Sequence, residues 1–410
     1  MAEGEEFIFP KGFLWGTATS AHQTEGGNFH SDWWEWEKNH KLVENSGIAC
    51  DHYHKFKADF NLAKQILHNN AHRFSIEWAK IEPEEGKFDQ EEVSHYREVL
   101  QELKKLDLSS LVTLHHFTNP AWFAKKGGWE KRENIYYFEK FVWKCAEEFG
   151  DLVDYWIIFN EPNVYAQLSY MIGHWPPQKK NLLLAFQVLL NLALAHKKSY
   201  RIIHQKYNKA KVTSVINMSA FKSYNFIDNI LIPPERFLTN YSFLSLTKGH
   251  NDFVGINYYF LHISRWADIF LKNLERHESK TLQLGGLTDV GWPSYPQGIY
   301  QVIKESWNKY KLPIIITENG MADALDEKRP RYIIDHLNWV YQAIKEGTDV
   351  RGYFYWTLMD NFEWDSGRKL KFGLFETNYK TLERIPRKSA YIYGKICQEN
   401  AITKEVLDML

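Results

Sequence analysis

The sequence predicts an α/β fold, built as a single (β/α)8 barrel with TIM-barrel architecture over residues 1–410. Eight short segments rich in β-branched and aromatic residues recur along the chain, and long amphipathic stretches separate them. No linker rich in Pro, Gly or Ser divides the chain. The composition, 44% hydrophobic and 25% charged, is that of an ordinary globular protein. One barrel with insertions accounts for the length.

The eight predicted strands carry apolar runs with little polar alternation, as parallel strands buried on both faces do. In chain order they are FLWGTATS from Phe13, HRFSIEW from His72, SLVTLHHF from Ser110, YWIIFNEP from Tyr155, KVTSVINM from Lys211, DFVGINYY from Asp252, PIIITENG from Pro313 and VRGYFYWTL from Val350.

Several stretches between these strands show helical patterns. The stretch from Asp51 to Leu67 begins with a residue that can cap a helix. Two more helices are predicted over Glu91–Leu106 and Ile135–Phe149. The most apolar stretch, Leu182–Ala195, is shorter than the about 20 residues that a membrane span needs, so we interpret it as a buried helix.

A doubly wound sheet is the alternative fold. It needs a glycine-rich phosphate loop, GxGxxG, after its first strand. The first strand is followed here by AHQTEGGNFHSDWWEW, which contains no such loop, and the barrel is therefore favoured.

Charge and cysteine content exclude several classes of protein. Fifty Lys and Arg residues oppose 51 Asp and Glu residues, so the chain has no global basic field to hold nucleic acid or an anionic membrane.

Three cysteines form neither a disulfide framework nor a zinc site. The acidic start, MAEGEEFIFPKGF, shows no secretory signal. We expect a cytoplasmic protein without nucleic-acid or membrane partners, and the sequence leaves its oligomeric state open.

Neighbouring histidines do not predict a metal site. His115 and His116 are adjacent on a predicted strand and point to opposite faces. His52 and His54 diverge at the start of a predicted helix. We therefore expect neither a metal nor a cofactor.

Polar residues gather at the carboxyl ends of the predicted strands. In a barrel these ends meet at one mouth, where the chemistry of this architecture takes place. The residues are Gln23 after strand one, His115 and His116 in strand three, Asn160 and Glu161 in strand four, Asn257 to Tyr259 in strand six, Glu318 and Asn319 in strand seven, and Trp356 in strand eight.

Glu161 and Glu318 each end an apolar strand, where a carboxylate is costly unless it has a partner or a use. An ion pair closing the rim explains a single such residue. Two of them, each beside an Asn, indicate glycoside hydrolysis, in which one carboxyl protonates the leaving oxygen and the other attacks the anomeric carbon or activates water. A separation of about 5–5.5 Å favours retention of configuration. Arg73 is a candidate for the cation that keeps one carboxylate ionised, or for a salt bridge inside the barrel.

Seven segments resemble those of glycoside hydrolase family 1, in particular its β-glucosidase-like β-glycosidases. They are FPKGFLWGTATSAHQTEG, AHRFSIEWAKIEP, VTLHHFTNPAWF, FNEP, VGINYY, ITENGMAD and YFYWTLMDNFEW, and they follow the order of the family from about Phe9 to Ile396. FNEP followed by ITENG is highly specific for the family.

The resemblance implies a retaining exo-β-glycosidase that removes terminal non-reducing β-D-glucosyl residues, and galactosyl or fucosyl residues, by double displacement. Glu161 matches the general acid/base of the family and Glu318 its nucleophile, which Arg73 supports. The remaining matches line the substrate site: Gln23, His116, Asn160, Asn257, Tyr259, Trp292, Trp356, Glu363, Trp364 and Phe372.

The chain departs from the family pattern in two places. Phe117 stands where many members have Trp, which removes a hydrogen-bonding indole. The segment from Phe221 to Asn251 is short, which predicts a mouth that is more open on one side. Asn217, at the end of strand five, is a further candidate without an assigned role.

Two alternative functions follow from the same residues. A catalytically silent sugar-binding barrel would have lost Glu161 or Glu318, and both are present. A 6-phospho-β-glycosidase resembles the chain elsewhere, but that branch has Ser and Lys near the positions of Glu363 and Trp364, and a carboxylate there repels a phosphate dianion. The sequence does not rank glucose against galactose, fucose or mannose, and it does not identify the aglycone.

Overall fold

The computed structural model describes residues 6–40, 44–223, 226–264 and 286–410. Eight parallel strands form a closed barrel, so the predicted fold is confirmed. The strands are β1 (Leu14–Ala18), β2 (Ala71–Ser75), β3 (Ser109–His115), β4 (Tyr155–Asn160), β5 (Lys211–Asn217), β6 (Val254–Asn257), β7 (Ile314–Asn319) and β8 (Val350–Trp356). They pair in the order β7-β8-β1-β2-β3-β4-β5-β6, and β6 pairs with β7 to close the barrel.

Helices follow the strands and surround the barrel. They are α1 (His52–Gln65), α2 (Gln90–Lys105), α3 (Ile135–Phe149), α4 (Leu182–Lys206), α5 (Phe226–Arg236, continued by the π-helix Phe237–Tyr241 and by Ser242–Leu246), α6 (Gln297–Tyr310), α7 (Arg329–Lys345) and α8 (Lys388–Glu399). Shorter helices lie in the loops at Ala21–Thr24, Asp32–Asn39, Trp78–Ile81, Ala121–Lys125, Gly128–Glu130, Arg132–Asn134, Pro162–Tyr165, Ala166–Ile172 and Trp364–Ser366, and Lys404–Asp408 lies near the C-terminus.

In the described ranges, three two-stranded sheets accompany the barrel. Phe7–Ile8 pairs with Ala401–Ile402, which fastens the described start of the chain to its end. Ala220–Ser223 pairs with Leu261–Ser264 in parallel, beyond the ends of β5 and β6. Phe375–Thr377 pairs with Arg384–Pro386 after β8.

Small and large side chains share the barrel interior. Gly16 of β1 lies so close to the ring of Phe354 of β8 that a Cβ atom would be 2.4 Å from the ring. The interior also holds the buried side chains of Leu111, Ile157 and Ile315, one each from β3, β4 and β7. This packing fills the barrel, so the chemistry is confined to its mouth.

Two predicted helices differ from the structure. Asp51 does not cap α1: its backbone is left-handed, with φ 57°, and its side chain pairs with His54. Helix α4 continues past Ala195 to Lys206, and only one face of it is buried. Leu183 is 80% exposed, because the barrel covers the opposite face of the helix. None of the helices in the described ranges is long and apolar enough to cross a membrane.

A pair of leucine-to-alanine substitutions tests this packing. Leu103 of α2 is fully buried, and its truncation leaves a cavity. We expect Leu103→Ala to lower the free energy of unfolding by about 2–5 kcal/mol. The matched change Leu183→Ala, at an exposed site, should stay within about 0.5 kcal/mol of the parent protein. Denaturant unfolding of both variants measures the difference, and equal losses would contradict the described packing.

Candidate active site

Glu161 lies directly after β4, in a backbone conformation that its neighbours impose. Its N–H donates to the carbonyl of Val215 at 2.8 Å, which continues the pairing of β4 with β5. Its φ is 44°, and the next residue, Pro162, begins a short helix. Because this left-handed conformation departs from extended backbone, and because Pro162 has no N–H to continue the ladder, the strand ends at this point and the carboxyl group is presented at the mouth of the barrel.

The carboxyl group of Glu161 is buried among neutral donors. Its Oε1 accepts from Asn257 Nδ2 at 2.7 Å and from Asn217 Nδ2 at 2.9 Å. Burial, and next the negative charge of Glu318, raise the pKa of Glu161 to about 8, although the two amides and Arg73 act in the opposite direction. Glu161 therefore holds a proton at neutral pH.

The carboxylate of Glu318, on β7, has charged and phenolic donors instead. Arg73 Nη1 donates to Oε1 and forms a buried ion pair with it. The hydroxyl of Tyr259 donates to Oε2 at 2.5 Å. Because a guanidinium ion and a hydrogen bond both favour the charged form of a carboxyl group, this environment suits a carboxylate.

Two asparagines connect the carboxyl groups. Asn160 Oδ1 accepts from Arg73 Nη2 at 2.6 Å and from Asn257 Nδ2 at 3.2 Å. Asn257 Oδ1 in turn accepts from the hydroxyl of Thr317 at 2.8 Å. The network thus runs from Glu161 through Asn257, Asn160 and Arg73 to Glu318, and it fixes their side chains relative to one another.

A second polar group lies at the outer part of the mouth. Glu363 accepts from Gln23 Nε2 at 3.2 Å and from Trp356 Nε1 at 3.3 Å. Gln23 Oε1 accepts from the hydroxyl of Ser20 at 2.7 Å, which orients the amide of Gln23 toward Glu363. Burial is the largest effect on Glu363 and raises its pKa to about 8.

Aromatic rings flank this polar group. The ring of His116 lies nearly parallel to Trp356, at 6.0 Å between centroids, and to Trp364, at 6.1 Å. Its Nε2 contacts Asn160 Nδ2 at 3.2 Å, whereas its buried Nδ1 has no partner among the described residues. Burial, followed by the charge of Arg73, lowers the pKa of His116, so the ring is neutral. A neutral imidazole with one unused nitrogen can hydrogen-bond to a ligand hydroxyl.

A second group of rings surrounds Trp292. Trp292 lies 5.7 Å from Tyr259 and 6.4 Å from Phe372 between ring centroids. Phe260, which the sequence did not single out, lies 5.0 Å from Trp292. These rings give the mouth an apolar side next to the polar groups around Glu318.

The structure brings the predicted site residues together and refines the expectations for three of them. The amide of Asn257 contacts Glu161, Asn160 and Thr317, so it positions these groups. Asn217 has a specific contact, with Glu161. His115 lies behind the site, where its Nε2 meets Asn119, and it is separated from His116 as the strand geometry predicted. The described ranges contain no group of three His, Cys, Asp or Glu residues that could hold a metal.

Sequence reasoning missed three further contributors. Ser20 orients Gln23, and Asn361 accepts from the amide of Gln23 at 3.3 Å. Trp175, between β4 and α4, packs against Phe117 at 4.9 Å and Trp364 at 5.7 Å. Asn361 lies in the DNFEW segment, next to residues that were singled out, but no local signal places Trp175 beside Trp364.

The environment of Glu161 predicts a pH-dependent gain in stability from Glu161→Gln. The folded pKa, about 8, is above the ordinary value of 4.5, so the parent protein loses stability as the pH rises between these values. Glutamine keeps the oxygen that accepts from Asn217 and Asn257 but cannot ionise. The Tm of the variant minus the Tm of the parent protein should therefore be larger at pH 8 than at pH 5. Glu84→Gln, at an exposed carboxylate, is the control and should show no such gain. A Tm difference independent of pH would contradict the raised pKa.

Comparison with known proteins agrees with this geometry. The model of glycosyl hydrolase family 1 matches residues 5–226 and 236–402. The 1,4-beta-D-glucan glucohydrolase of Thermotoga neapolitana is 31% identical over 96% of this chain and 99% of its own length. The beta-galactosidase of Pyrococcus woesei is 29% identical over 98% of this chain and 99% of its own length.

Solved structures show the same similarity. The beta-glycosidase from Pyrococcus horikoshii superposes with a TM-score of 0.90 at 39% identity, over 98% of each chain. The beta-glucosidase from Thermotoga maritima in complex with glucoimidazole gives a TM-score of 0.89 at 29% identity, over 97% of this chain and 100% of its own. The family model matches nearly the whole chain, and these relatives agree with it. This protein therefore belongs to glycosyl hydrolase family 1.

Proposed function

We propose that the protein is a retaining exo-β-glycosidase that hydrolyses terminal non-reducing β-D-glucosyl residues, with residues 1–410 as a single catalytic domain. The observation that carries the proposal is the difference between two buried carboxyl groups at one barrel mouth. Glu318 has a cation and a phenol as donors, and Glu161 has two neutral amides. A pair of carboxyl groups whose environments push their protonation states apart is the arrangement that acid and nucleophile require.

In the first step Glu318 attacks the anomeric carbon while Glu161 protonates the leaving oxygen. The two amides occupy Oε1 of Glu161, and an N–H donor disfavours a proton on the oxygen to which it donates. The proton is therefore carried by Oε2, which is the oxygen that faces the leaving group in this proposal.

The second step uses the same pair with the roles reversed. Formation of the glycosyl ester removes the negative charge of Glu318, which is one of the causes of the raised pKa of Glu161. The pKa of Glu161 then falls, so the group that donated a proton becomes a base for the incoming water. The sugar leaves with its β configuration because two displacements have occurred at one carbon.

The residues around Glu363 suit the hydroxyl groups of a neutral sugar. Gln23, Glu363 and His116 offer donors and acceptors, and Trp356 and Trp364 offer flat surfaces, so both the edges and the face of a pyranose can be matched. Relatives named glucan glucohydrolase, beta-glucosidase and beta-galactosidase support glucose or galactose as the glycone, with fucose as a third candidate. Phe117 offers no indole N–H, so one hydroxyl contact seen in many family members is weaker here.

A 6-phosphorylated sugar is less well matched. Within the described residues Glu363 forms no ion pair, and the nearby Arg368 is engaged by Glu44 and by the carbonyl of Ser46. A phosphate dianion placed beside Glu363 would meet a carboxyl group instead of a cation.

The working environment of the protein is part of the proposal. Cys50, Cys145 and Cys397 are all free and buried thiols, which supports a reducing, cytoplasmic compartment. The substrate is a small-molecule β-glycoside, and neither a metal nor a cofactor takes part in the steps above.

The acid/base assignment predicts a leaving-group dependence. Glu161→Ala should spare activated aryl β-glucosides and slow alkyl β-glucosides by about 10²–10⁴-fold, because only a poor leaving group needs the proton. Added azide should restore turnover and yield a β-glycosyl azide, which NMR identifies. Glu318→Gln is the control: it lacks the attacking carboxylate, so both substrates should be inert. An equal loss on both substrates in Glu161→Ala, without azide rescue, would contradict the assignment.

The contacts of Glu363 predict a specificity change. Glu363→Ser leaves Gln23 and Trp356 without their acceptor, and it should lower kcat/KM for a neutral β-glucoside by about ten- to several-hundredfold. The ratio of the rates on the 6-phosphorylated and neutral glucosides should rise, most strongly above pH 8, where the parent carboxyl group is ionised. Glu44→Ser removes a rim carboxylate that pairs with Arg368 and should leave both rates unchanged. An unchanged ratio in Glu363→Ser would exclude Glu363 from the sugar site.

A further inference from the structure

The surface beside the mouth carries a cluster of exposed apolar side chains, which we call the apolar patch. It consists of Met171 and Ile172, at the end of the π-helix after β4, and of Leu182, Leu183, Phe186 and Leu190, in the first turns of α4. The exposed fractions range from 37% for Ile172 to 80% for Leu183. Large apolar residues scattered singly on a surface need no explanation, but a contiguous group indicates an interaction site.

Backbone contacts make the patch continuous. The N–H of Asn181 donates to the carbonyl of Tyr170 at 2.8 Å, and the N–H of Lys179 donates to that of Ser169 at 2.9 Å. The end of the π-helix therefore lies against the start of α4. The four residues of α4 fall within an arc of about 100°, since successive helical residues are about 100° apart. The opposite side of α4, which includes Val188 and Leu192, is buried against the barrel.

The charges around the patch are mostly positive. Lys179 and Lys180 precede α4 and are exposed. The side chain of Gln187 donates to the carbonyl of Glu130 at 2.7 Å, so the segment that continues with exposed Lys131 and Arg132 lies alongside α4. Glu130, 3.9 Å from Lys179, and the exposed Glu133 are the carboxylates of these segments. Four cations against two carboxylates form a local positive region on a chain whose net charge is −1.

We propose that the apolar patch docks on the surface of an anionic lipid bilayer, a partner that the net charge of the whole chain did not predict. Leu183 and Phe186 enter the boundary between headgroups and acyl chains, and Lys179 and Lys180 lie near the phosphates. An amphipathic helix with apolar residues on one face and flanking lysines binds anionic interfaces in this way, lying on the membrane instead of spanning it.

The charge pattern favours a lipid surface over a second copy of the chain. In a symmetric dimer the same patch meets itself, so the cations around one patch face the cations around the other. An anionic bilayer pairs them with phosphate groups instead. The patch also lies close to the sugar site, because Trp175, in the same loop, contacts Phe117 and Trp364. Docking would therefore hold the mouth of the barrel near the lipid surface.

Vesicle sedimentation tests this proposal. The full-length protein is mixed with phosphatidylcholine vesicles, with or without phosphatidylglycerol, at low and high salt. We expect it to sediment with the phosphatidylglycerol vesicles, less so at high salt, and to stay in solution with phosphatidylcholine alone. The double variant Leu183→Glu, Phe186→Glu should lower the bound-to-free ratio by about tenfold or more, because two apolar side chains no longer enter the interface. Lys179→Gln, Lys180→Gln should remove the preference for phosphatidylglycerol.

Two controls keep the outcome interpretable. Leu325→Glu introduces the same charge at a leucine that is 77% exposed outside the patch, and it should bind vesicles as the parent protein does. All variants should hydrolyse a soluble aryl β-glycoside at the parent rate, since none of these residues lies in the sugar site. The proposal is overturned if the parent protein stays in solution with every vesicle. It is also overturned if sedimentation velocity shows a concentration-dependent dimer that Leu183→Glu, Phe186→Glu dissociates while vesicle binding is absent.

Discussion

The guanidinium group of Arg73 is the interaction on which the site depends. It is fully buried inside the barrel, where an isolated charge is strongly unfavourable. Its donors reach Glu318 and the carbonyl of Thr317 on β7, Asn160 on β4, and the hydroxyl of Thr113 on β3. One side chain of β2 thus sets the position of groups from three other strands. The same contacts compensate its burial, so the fold and the site share one network.

The electrostatic difference between Glu161 and Glu318 has its origin in the type of donor that each receives. The donors of Glu318 include the full positive charge of Arg73, which stabilises a carboxylate by ion pairing as well as by hydrogen bonding, whereas the two amides of Glu161 supply hydrogen bonds alone. Asn217 and Asn257 supply Glu161 with hydrogen bonds but with no positive charge. These amides, on β5 and β6, lower the pKa of Glu161, but burial and the charge of Glu318 outweigh them, so the buried acid keeps its proton near a carboxylate.

The loop between β4 and α4 links the mouth of the barrel with the outer surface. On its inner side Trp175 packs against Phe117 and Trp364, so the ring of Phe117 is held by aromatic contacts where a hydrogen-bonding indole is absent. On its outer side the same loop leads into the exposed leucines of α4. One face of α4 is buried and stabilises the barrel. The other face is exposed and forms part of the surface beside the mouth.

The sequence by itself determined the eight strands, the barrel and the pair of glutamates, because buried parallel strands and residues at strand ends leave local signals. The motifs around Glu161 and Glu318 also identified the family. Only the tertiary structure decided that Asn257 donates to Glu161, that Trp175 lies beside Trp364, and that α4 is exposed on one face. Each of these depends on contacts between residues far apart in the chain. Apolar periodicity shows that a helix has residues fit for burial, but the area available on the barrel decides which of them are covered.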